Sequence, residues 1–346
     1  MKKSLFPEKG RFYKANLHNH TVFSDGNETP EEIKEIYRKQ GYQIVAYTDH
    51  DVMVSHSELT DSNFIALTGF EYEFTEELPP EIPFSFKRTY HMLCFAPTAD
   101  TTYYPWPNPD FVWGNARKHI QPYYKGDCPH GYSVDDVNHL FEDAHAHGFL
   151  TCYCHPMWST QHYPDYCDIK GADFVEVYNS GCYIGGWALD AGDHVYHDFL
   201  WLGSHSAPSA SDDGHSRQDY CGGATYIHAE ELTYEAVFNA MKNQDVYASW
   251  GPEIKDITFD SETKTLEVEC TDAREIFIMS ERRFAARETN KSGFPLTRAS
   301  FDLTEYLRDT IAAGTEKTSF VRLLIVDGTG RKAVSRGYFA EELLKM

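Results

Sequence analysis

From residue 12 to about 250, short apolar runs alternate with helical or loop-like segments. Runs at 12–17, 44–48, 64–70, 90–95, 149–154, 174–178 and 224–227 are of strand length and rich in β-branched and aromatic residues. A further strand is expected to run into "SASDDGH". The clearest helix begins at Thr29, with Pro30 at its first position, Glu32 completing a capping box, and Gly41 as its natural end. A second runs over 133–148, with Asp136 three residues after the cap Ser133, and a third over 233–243. Strands alternating with helices predict a parallel α/β fold. After "SWGPEI" (249–254) the pattern changes, and "TLEVEC", "EIFIMS" and "FVRLLIVD" alternate with the strand period around turns such as "DGTGRK". No helix with a strong apolar face is expected there. The chain therefore divides into an α/β domain at 1–250 and a small all-β, sandwich-like domain at 251–346.

Two stretches break the rhythm. Residues 75–88 and 98–132 are long, aromatic and punctuated by proline, a composition that fits either a substrate lid or an elaboration packed on the domain wall. At 346 residues, with 41% hydrophobic and 15% aromatic residues, the chain has ample core material. Its net charge of -22 argues against binding to anionic membranes or long nucleic acid, while leaving room for a small anionic substrate held through metal ions. No run of about 18 apolar residues predicts a membrane span. The eight cysteines form no CxxC pair, and no signal-peptide pattern opens the chain, so a cytoplasmic protein with reduced thiols is expected.

Candidate chemistry gathers where the expected strands end. "NLHNHTVFSDG" places His18, His20 and Asp25 at the end of the first strand, "TDHD" presents His50, "GFE" presents Glu71, "YHMLCF" carries His91, "CHP" presents His155, and "SDDGH" presents Asp213 and His215. Residues i and i+2 of a strand point the same way, so His18 and His20 can reach one ion, and Asp213 and His215 share that spacing. Six imidazoles and three carboxylates suit zinc, iron or manganese, with magnesium also possible, and nine ligands suggest two to three ions.

This series, HxH…SDG, TDH, GxE, H, HP and DxH, resembles the polymerase and histidinol phosphatase (PHP) superfamily over about residues 12–250, and the downstream "FVEVYN" resembles a segment common there. The resemblance implies a distorted seven-stranded (β/α) barrel with a trinuclear metal centre hydrolysing a phosphate ester. Carried over residue by residue, the ligands would be His18, His20, Asp25, His50, Glu71, His91, His155, Asp213 and His215, none of which departs in type. The long segments at 75–88 and 98–132 are where the chain departs from the family, and they bear on the substrate.

A metal-bridging hydroxide is the expected nucleophile. Asp25, His205 and His20 are candidates for proton donation, and Arg217 and Arg88 for clamping the phosphate, each against an ordinary surface ion pair. Asp49 and Asp51 either orient ligands or cap a turn. His145 and His147 fall on a helix, where i and i+2 diverge, and read as surface residues. Cys152 and Cys154 read as buried small apolar residues. Tyr178 and Asn179 end a strand and are candidates to line the pocket. Tyr103, Tyr104, Trp106 and Trp113 either stack on a substrate ring or pack their own loop. Three functions compete: a metal-dependent phosphoesterase acting on a small phosphorylated metabolite, an amidohydrolase-like enzyme cutting a non-phosphate bond, and a catalytically silent metal-binding or recognition protein.

Overall fold

The structure, a computed structural model, describes residues 2–187, 192–290 and 293–346. The first two thirds comprise strands β1 (Lys2–Ser4), β2 (Arg11–Asn16), β3 (Ile44–Tyr47), β4 (Ile65–Thr75), β5 (Thr89–Phe95), β6 (Leu150–Tyr153), β7 (Phe174–Asn179), β8 (Ala207–Ser211), β9 (Ala224–Ala229) and β10 (Val246–Ser249). The interleaved helices are α1 (Pro30–Lys39), α2 (Val134–Ala146), α3 (Tyr163–Tyr166), α4 (Ser180–Ile184), α5 (Gly192–Trp201) and α6 (Tyr234–Lys242). Helix α1 starts as its sequence predicts: Thr29 accepts from the Glu32 N–H while the Glu32 side chain accepts from the Thr29 N–H. Ser133 and Thr233 likewise cap α2 and α6.

The remainder holds β11 (Ile254–Asp260), β12 (Thr265–Ala273), β13 (Glu275–Ser280), β14 (Ala285–Thr289), β15 (Leu296–Asp302), α7 (Thr304–Ala313), β16 (Phe320–Val326), β17 (Lys332–Ser335), β18 (Tyr338–Phe339) and α8 (Ala340–Leu344). It is not all-β. Leu303, Tyr306, Leu307 and Thr310 are buried at helical spacing, and Gly314, in the left-handed region at φ 67°, ends α7.

The sheet is mixed rather than parallel. β2, β3 and β4 pair in parallel, as do β6, β7 and β8, but β5 runs antiparallel to both β4 and β6, and β9 antiparallel to β2. The reversal has a use: it brings the start of β5, with His91, to the edge where the other strands end. The pairing runs as an open path, β14-β13-β16-β17-β10-β9-β2-β3-β4-β5-β6-β7-β8, with β18 on β16. Among the described residues no ladder joins β8 back to β2. The chain just beyond these two strands meets instead through the single parallel bridge Asn19–Gly214, with the Asp213 N–H donating to the His18 carbonyl at 3.0 Å. Strands from the C-terminal part continue the main sheet through the β10–β17 ladder, and β1 pairs with β11 in a separate sheet of order β1-β11-β12-β15.

One core cluster collects alternate residues of successive strands: Tyr13 and Ala15, Ile44 and Ala46, Ile65 and Leu67, Leu93 and Phe95, Leu150 and Cys152, Phe174, and Ala207. Because strand side chains alternate, these residues define one common face of the sheet. Continuing that phase two or four residues along leads to His50, Glu71, His91 and Glu176.

The segment after β8 is fixed by a buried carboxylate. Asp212 accepts hydrogen bonds from the Tyr37 hydroxyl at 2.7 Å and from the backbone N–H groups of Cys221, Gly222 and Gly223. Burial pushes its carboxyl up to about 6, against the opposing pull of these donors. Asp212→Ala strands those donors in the interior, and the expected loss is at least about 2 kcal/mol of unfolding free energy by denaturant titration. An unchanged midpoint would show that the segment is held by other contacts.

Candidate metal centre

Glu71 lies at the middle of the buried cluster. One of its oxygens is 3.2 Å from His18 Nε2, 3.1 Å from His20 Nε2 and 3.3 Å from His50 Nδ1. The other is 2.8 Å from His91 Nδ1 and 3.3 Å from His155 Nε2. Asp213 forms a second focus, with one oxygen 3.3 Å from His18 Nε2 and 3.0 Å from His20 Nε2, and the other 3.7 Å from His155 Nε2. At the more open edge, Asp25 approaches His215 at 3.3 Å, His20 at 3.7 Å and His50 at 4.0 Å. All nine ligand candidates therefore converge.

The structure adds a tenth group, Glu176 on β7. Its carboxylate is 3.3 Å from His18 Nδ1 and accepts from the Ser211 hydroxyl, the His155 N–H at 3.1 Å and the Asn179 side-chain amide at 2.9 Å. A signal for it existed: a lone carboxylate in the apolar run "FVEVYN", two residues past the inward-facing Phe174. Four sets of donors each cluster closely enough for one ion: His20, Asp25, His50 and His215; His18, His20, Glu71 and Asp213; His18, His155 and Glu176; and His50, Glu71 and His91.

Several atoms here have neighbours but no hydrogen bond. Glu71 Oε2, Asp213 Oδ1, His50 Nδ1 and His91 Nε2 are buried without a hydrogen-bond partner, and the Nε2 atoms of His18 and His20 face each other at 3.3 Å. Buried polar atoms normally have partners, and a neutral imidazole donates from only one nitrogen. Cations placed among these oxygens and nitrogens would satisfy them together, so the donor set fits divalent metal ions.

Electrostatics describe the same demand in protonic terms. Burial pushes the Glu71 and Asp213 carboxyls up, but the surrounding imidazoles, His18 foremost, hold both well below the usual carboxylate range. Burial pulls the His20 imidazole down, yet the adjacent Asp213 and Glu71 carboxylates reverse this and raise it to about 10. His18, His91 and His215 are raised against burial in the same manner, whereas burial takes His50 down to about 3. Carboxylates that stay ionised thus recruit protons onto their neighbours.

Supporting groups orient the ligands. Asp49 accepts from the Thr21 N–H at 2.8 Å and from the Ser24 hydroxyl at 2.7 Å, shaping the turn that presents Asp25. Asn179 reaches Asp213 at 3.2 Å as well as Glu176, and Ser159 lies 3.2 Å from His155 Nδ1. Asp51, His155 and Asp213 have positive φ (57°, 25° and 49°), so the backbone is strained beside His50 and at two of the candidate ligands. From the long segment 98–132, Trp113 sits 5.4 Å from the His50 ring, while Tyr104 is buried against Phe70 and Tyr124. Trp158 packs 5.3 Å from both His91 and His155.

Other expected participants lie elsewhere. His205 is at the opposite end of β8 from Asp213, exposed and stacked on Phe339 at 3.8 Å. Arg217 points to solvent with 72% of its side chain exposed and pairs with Glu28. Arg88 is held by Glu76 and Asp165 at 2.8 and 2.7 Å. Sequence adjacency misled here because all three sit on segments leading toward or away from the centre, where the side chain is free to turn outward. His145 pairs with Asp173 and His147 stacks on Tyr103, both on the helix surface. Cys152 and Cys154 are buried, and neither belongs to a ligand group among the described residues.

No protein-family model matches the chain, and no curated protein is similar to it. Among solved structures, a two-domain protein of Bacteroides vulgatus containing a predicted PHP-like metal-dependent phosphoesterase is 15% identical over 86% of this chain and 88% of that one, with a TM-score of 0.42. An amidohydrolase of Chromobacterium violaceum is 15% identical over 67% and 96%, also at 0.42. A candidate metal-dependent phosphoesterase of Bifidobacterium adolescentis is 17% identical over 69% and 96%, at 0.36. Overlaps this loose leave the reaction to be argued from the site's own side chains.

Two outcomes are expected. Glu71→Ala should lose bound metal and activity together, seen by elemental mass spectrometry beside turnover, and full metal content with full turnover would remove Glu71 from the ligand set. Metal uptake by the stripped chain should release protons and strengthen from pH 6 to pH 8, because the raised imidazoles must give up protons to bind. Calorimetric titration in two buffers of different ionisation enthalpy reads both effects, and pH-independent uptake would contradict the arrangement.

Proposed function

We propose that the chain is a metal-dependent hydrolase of phosphate esters, built on a PHP-type distorted barrel and holding two to three divalent ions, zinc, manganese or iron. The observation that carries this is the buried convergence of six imidazoles and four carboxylates around Glu71 and Asp213, with opposed donor atoms that have no protein partner. His18, His20, His50, His91, His155 and His215 would hold the ions together with Asp25, Glu71, Asp213 and Glu176. Such ions supply positive charge to phosphoryl oxygens and acidify water, the two things phosphate-ester hydrolysis lacks at neutral pH.

The chain's own residues do the rest. Glu71 and Asp213, ionised and central, keep the donors in register. Glu176 accepts from His18 and from the His155 backbone, which fixes the orientation of both rings. Burial pushes the Asp25 carboxyl up, but its imidazole neighbours, His215 foremost, hold it well below the usual carboxylate range, which suits a metal ligand better than a proton donor. Trp113 and Trp158 flank the rings and exclude bulk water from them. None of the described helices is long and apolar enough to cross a membrane. In a chain with a net charge of -22, a small phosphorylated substrate would be held through these bound cations.

A second reading, hydrolysis of a non-phosphate bond as in amidohydrolases, has one observation in its favour: neither Arg217 nor Arg88 reaches the centre. The deciding experiment is metal content on protein purified without added metal, followed by a substrate panel with and without a phosphoryl group. Two to three equivalents of metal and turnover confined to phosphate esters are expected. Turnover confined to amides or carboxylic esters would establish the second reading, and a chain that takes up no metal would end both.

A further inference from the structure

Beside the centre, sharing His155 and Glu176 with it, opens a cavity of about 560 Å³. This is the size of a small-molecule site, larger than one phosphate requires. One wall belongs to the α/β part: Tyr178 from β7, with Tyr183 and Trp187 half exposed beyond it. The β16–β17 turn, "DGTGRK", adds Arg331 and Lys332 to the lining.

The turn is placed there by sheet register and local chemistry. The β10–β17 ladder pairs Tyr247 with Ser335 and Ser249 with Ala333, and the Trp250 N–H donates to the Lys332 carbonyl at 3.0 Å. Trp250 then lies parallel to Tyr178, with ring centroids 4.8 Å apart and planes at 9°, and the Lys332 ammonium stands 5.7 Å from its ring. Asp327 closes the turn, accepting from the Thr329 N–H at 2.8 Å, the Thr329 hydroxyl at 2.7 Å and the Arg331 N–H at 3.0 Å, while Gly330 takes the left-handed conformation at φ 92°. A loop tied in this way presents its side chains with little entropy left to lose.

Apart from His155, Arg331 and Lys332 are the basic residues among those lining the cavity. No described residue hydrogen-bonds or ion-pairs with the Arg331 guanidinium, in a chain carrying 53 acidic residues against 31 basic ones. Its charge is close enough to Tyr178 to act on that hydroxyl. A guanidinium lining a cavity that borders the candidate metal centre matches a second planar or tetrahedral anion.

We infer that the C-terminal β16–β17 turn forms half of the substrate pocket, and that Arg331 binds a second anionic group at the far end of the substrate, a carboxylate or a second phosphoryl group, across a flat or apolar middle set against Tyr178 and Trp250. This rests on the phosphoesterase reading for the reacting end and deepens it: the substrate is a small phosphate ester whose leaving group itself carries an anion. The anion clamp is thus supplied by the C-terminal part of the chain, not by Arg217 or Arg88.

The test is a binding measurement that needs no turnover. Full-length protein supplemented with manganese is titrated with phenylphosphonate, para-carboxyphenylphosphonate and para-phenylenediphosphonate, following tryptophan fluorescence. Removing a charge-assisted hydrogen bond of this kind costs about tenfold or more in affinity. At least one para-substituted ligand should bind the wild type about tenfold more tightly than phenylphosphonate, and which one does distinguishes carboxylate from phosphoryl. Arg331→Gln should abolish that preference while leaving phenylphosphonate affinity and metal content unchanged, and Arg331→Lys should restore part of it. Equal affinities in wild type and R331Q, or no measurable binding of any of the three, overturn the inference. Failure of the phosphoesterase reading shows separately, as absence of phosphate-ester hydrolysis in a protein that still discriminates these ligands.

Discussion

A single carboxylate surrounded by imidazoles sets the terms for the whole molecule. Glu71 is fully buried, and both its oxygens face histidine nitrogens drawn from separate segments of the chain. An ionised carboxylate in such a place is costly unless positive charge surrounds it. The fold answers by bringing the ends of β2, β3, β6, β7 and β8, and the start of β5, to this one spot. In the chain alone, protons meet the demand, and the raised His20 imidazole shows how strongly. In the proposed enzyme, divalent ions meet it.

The same side of the sheet does two jobs. Its lower layer is apolar, with Ile65, Leu67, Leu93, Phe95 and Phe174 packed together, and its upper layer carries Glu71, His91 and Glu176 in the same alternating phase. Packing below fixes the strands, and thereby the ligands, more rigidly than loops would. Stress collects at the transition from strand to loop. Asp51, His155 and Asp213 all adopt left-handed backbone there, and hydrogen bonds accepted by Asp49, donated by Asn179 and shared between Ser159 and His155 brace this edge.

The C-terminal part is joined to this arrangement through one continuous sheet. β10 pairs with β9 on one side and with β17 on the other, so the turn before β17 is held over the cavity next to His155 and Glu176. Arg331 thus reaches this cavity from a segment more than a hundred residues beyond His215, because the ladder, not sequence proximity, determines its position. The exposed Arg217 and the pre-engaged Arg88 make the contrast: each is close to a ligand in sequence, and neither faces the centre.

Much of the site was legible without coordinates. His18 and His20, and Asp213 and His215, have the two-residue spacing by which alternating backbone presents a pair together, and the positions of His50 and His155 just past strands follow from runs of apolar residues that stop there, whereas Glu71, expected at a strand end, lies inside β4. The cap at Thr29 was equally plain, since capping is a local hydrogen-bond exchange. Tertiary structure decided what local chemistry does not encode. It reversed β5, opened the strand path, and set a helix between β15 and β16. It also recruited Glu176, turned His205 away, and brought Arg331 into the cavity lining with Tyr178. These depend on which strands pair and in what direction. Long-range burial and hydrogen bonding settle that, and no short window of sequence contains it.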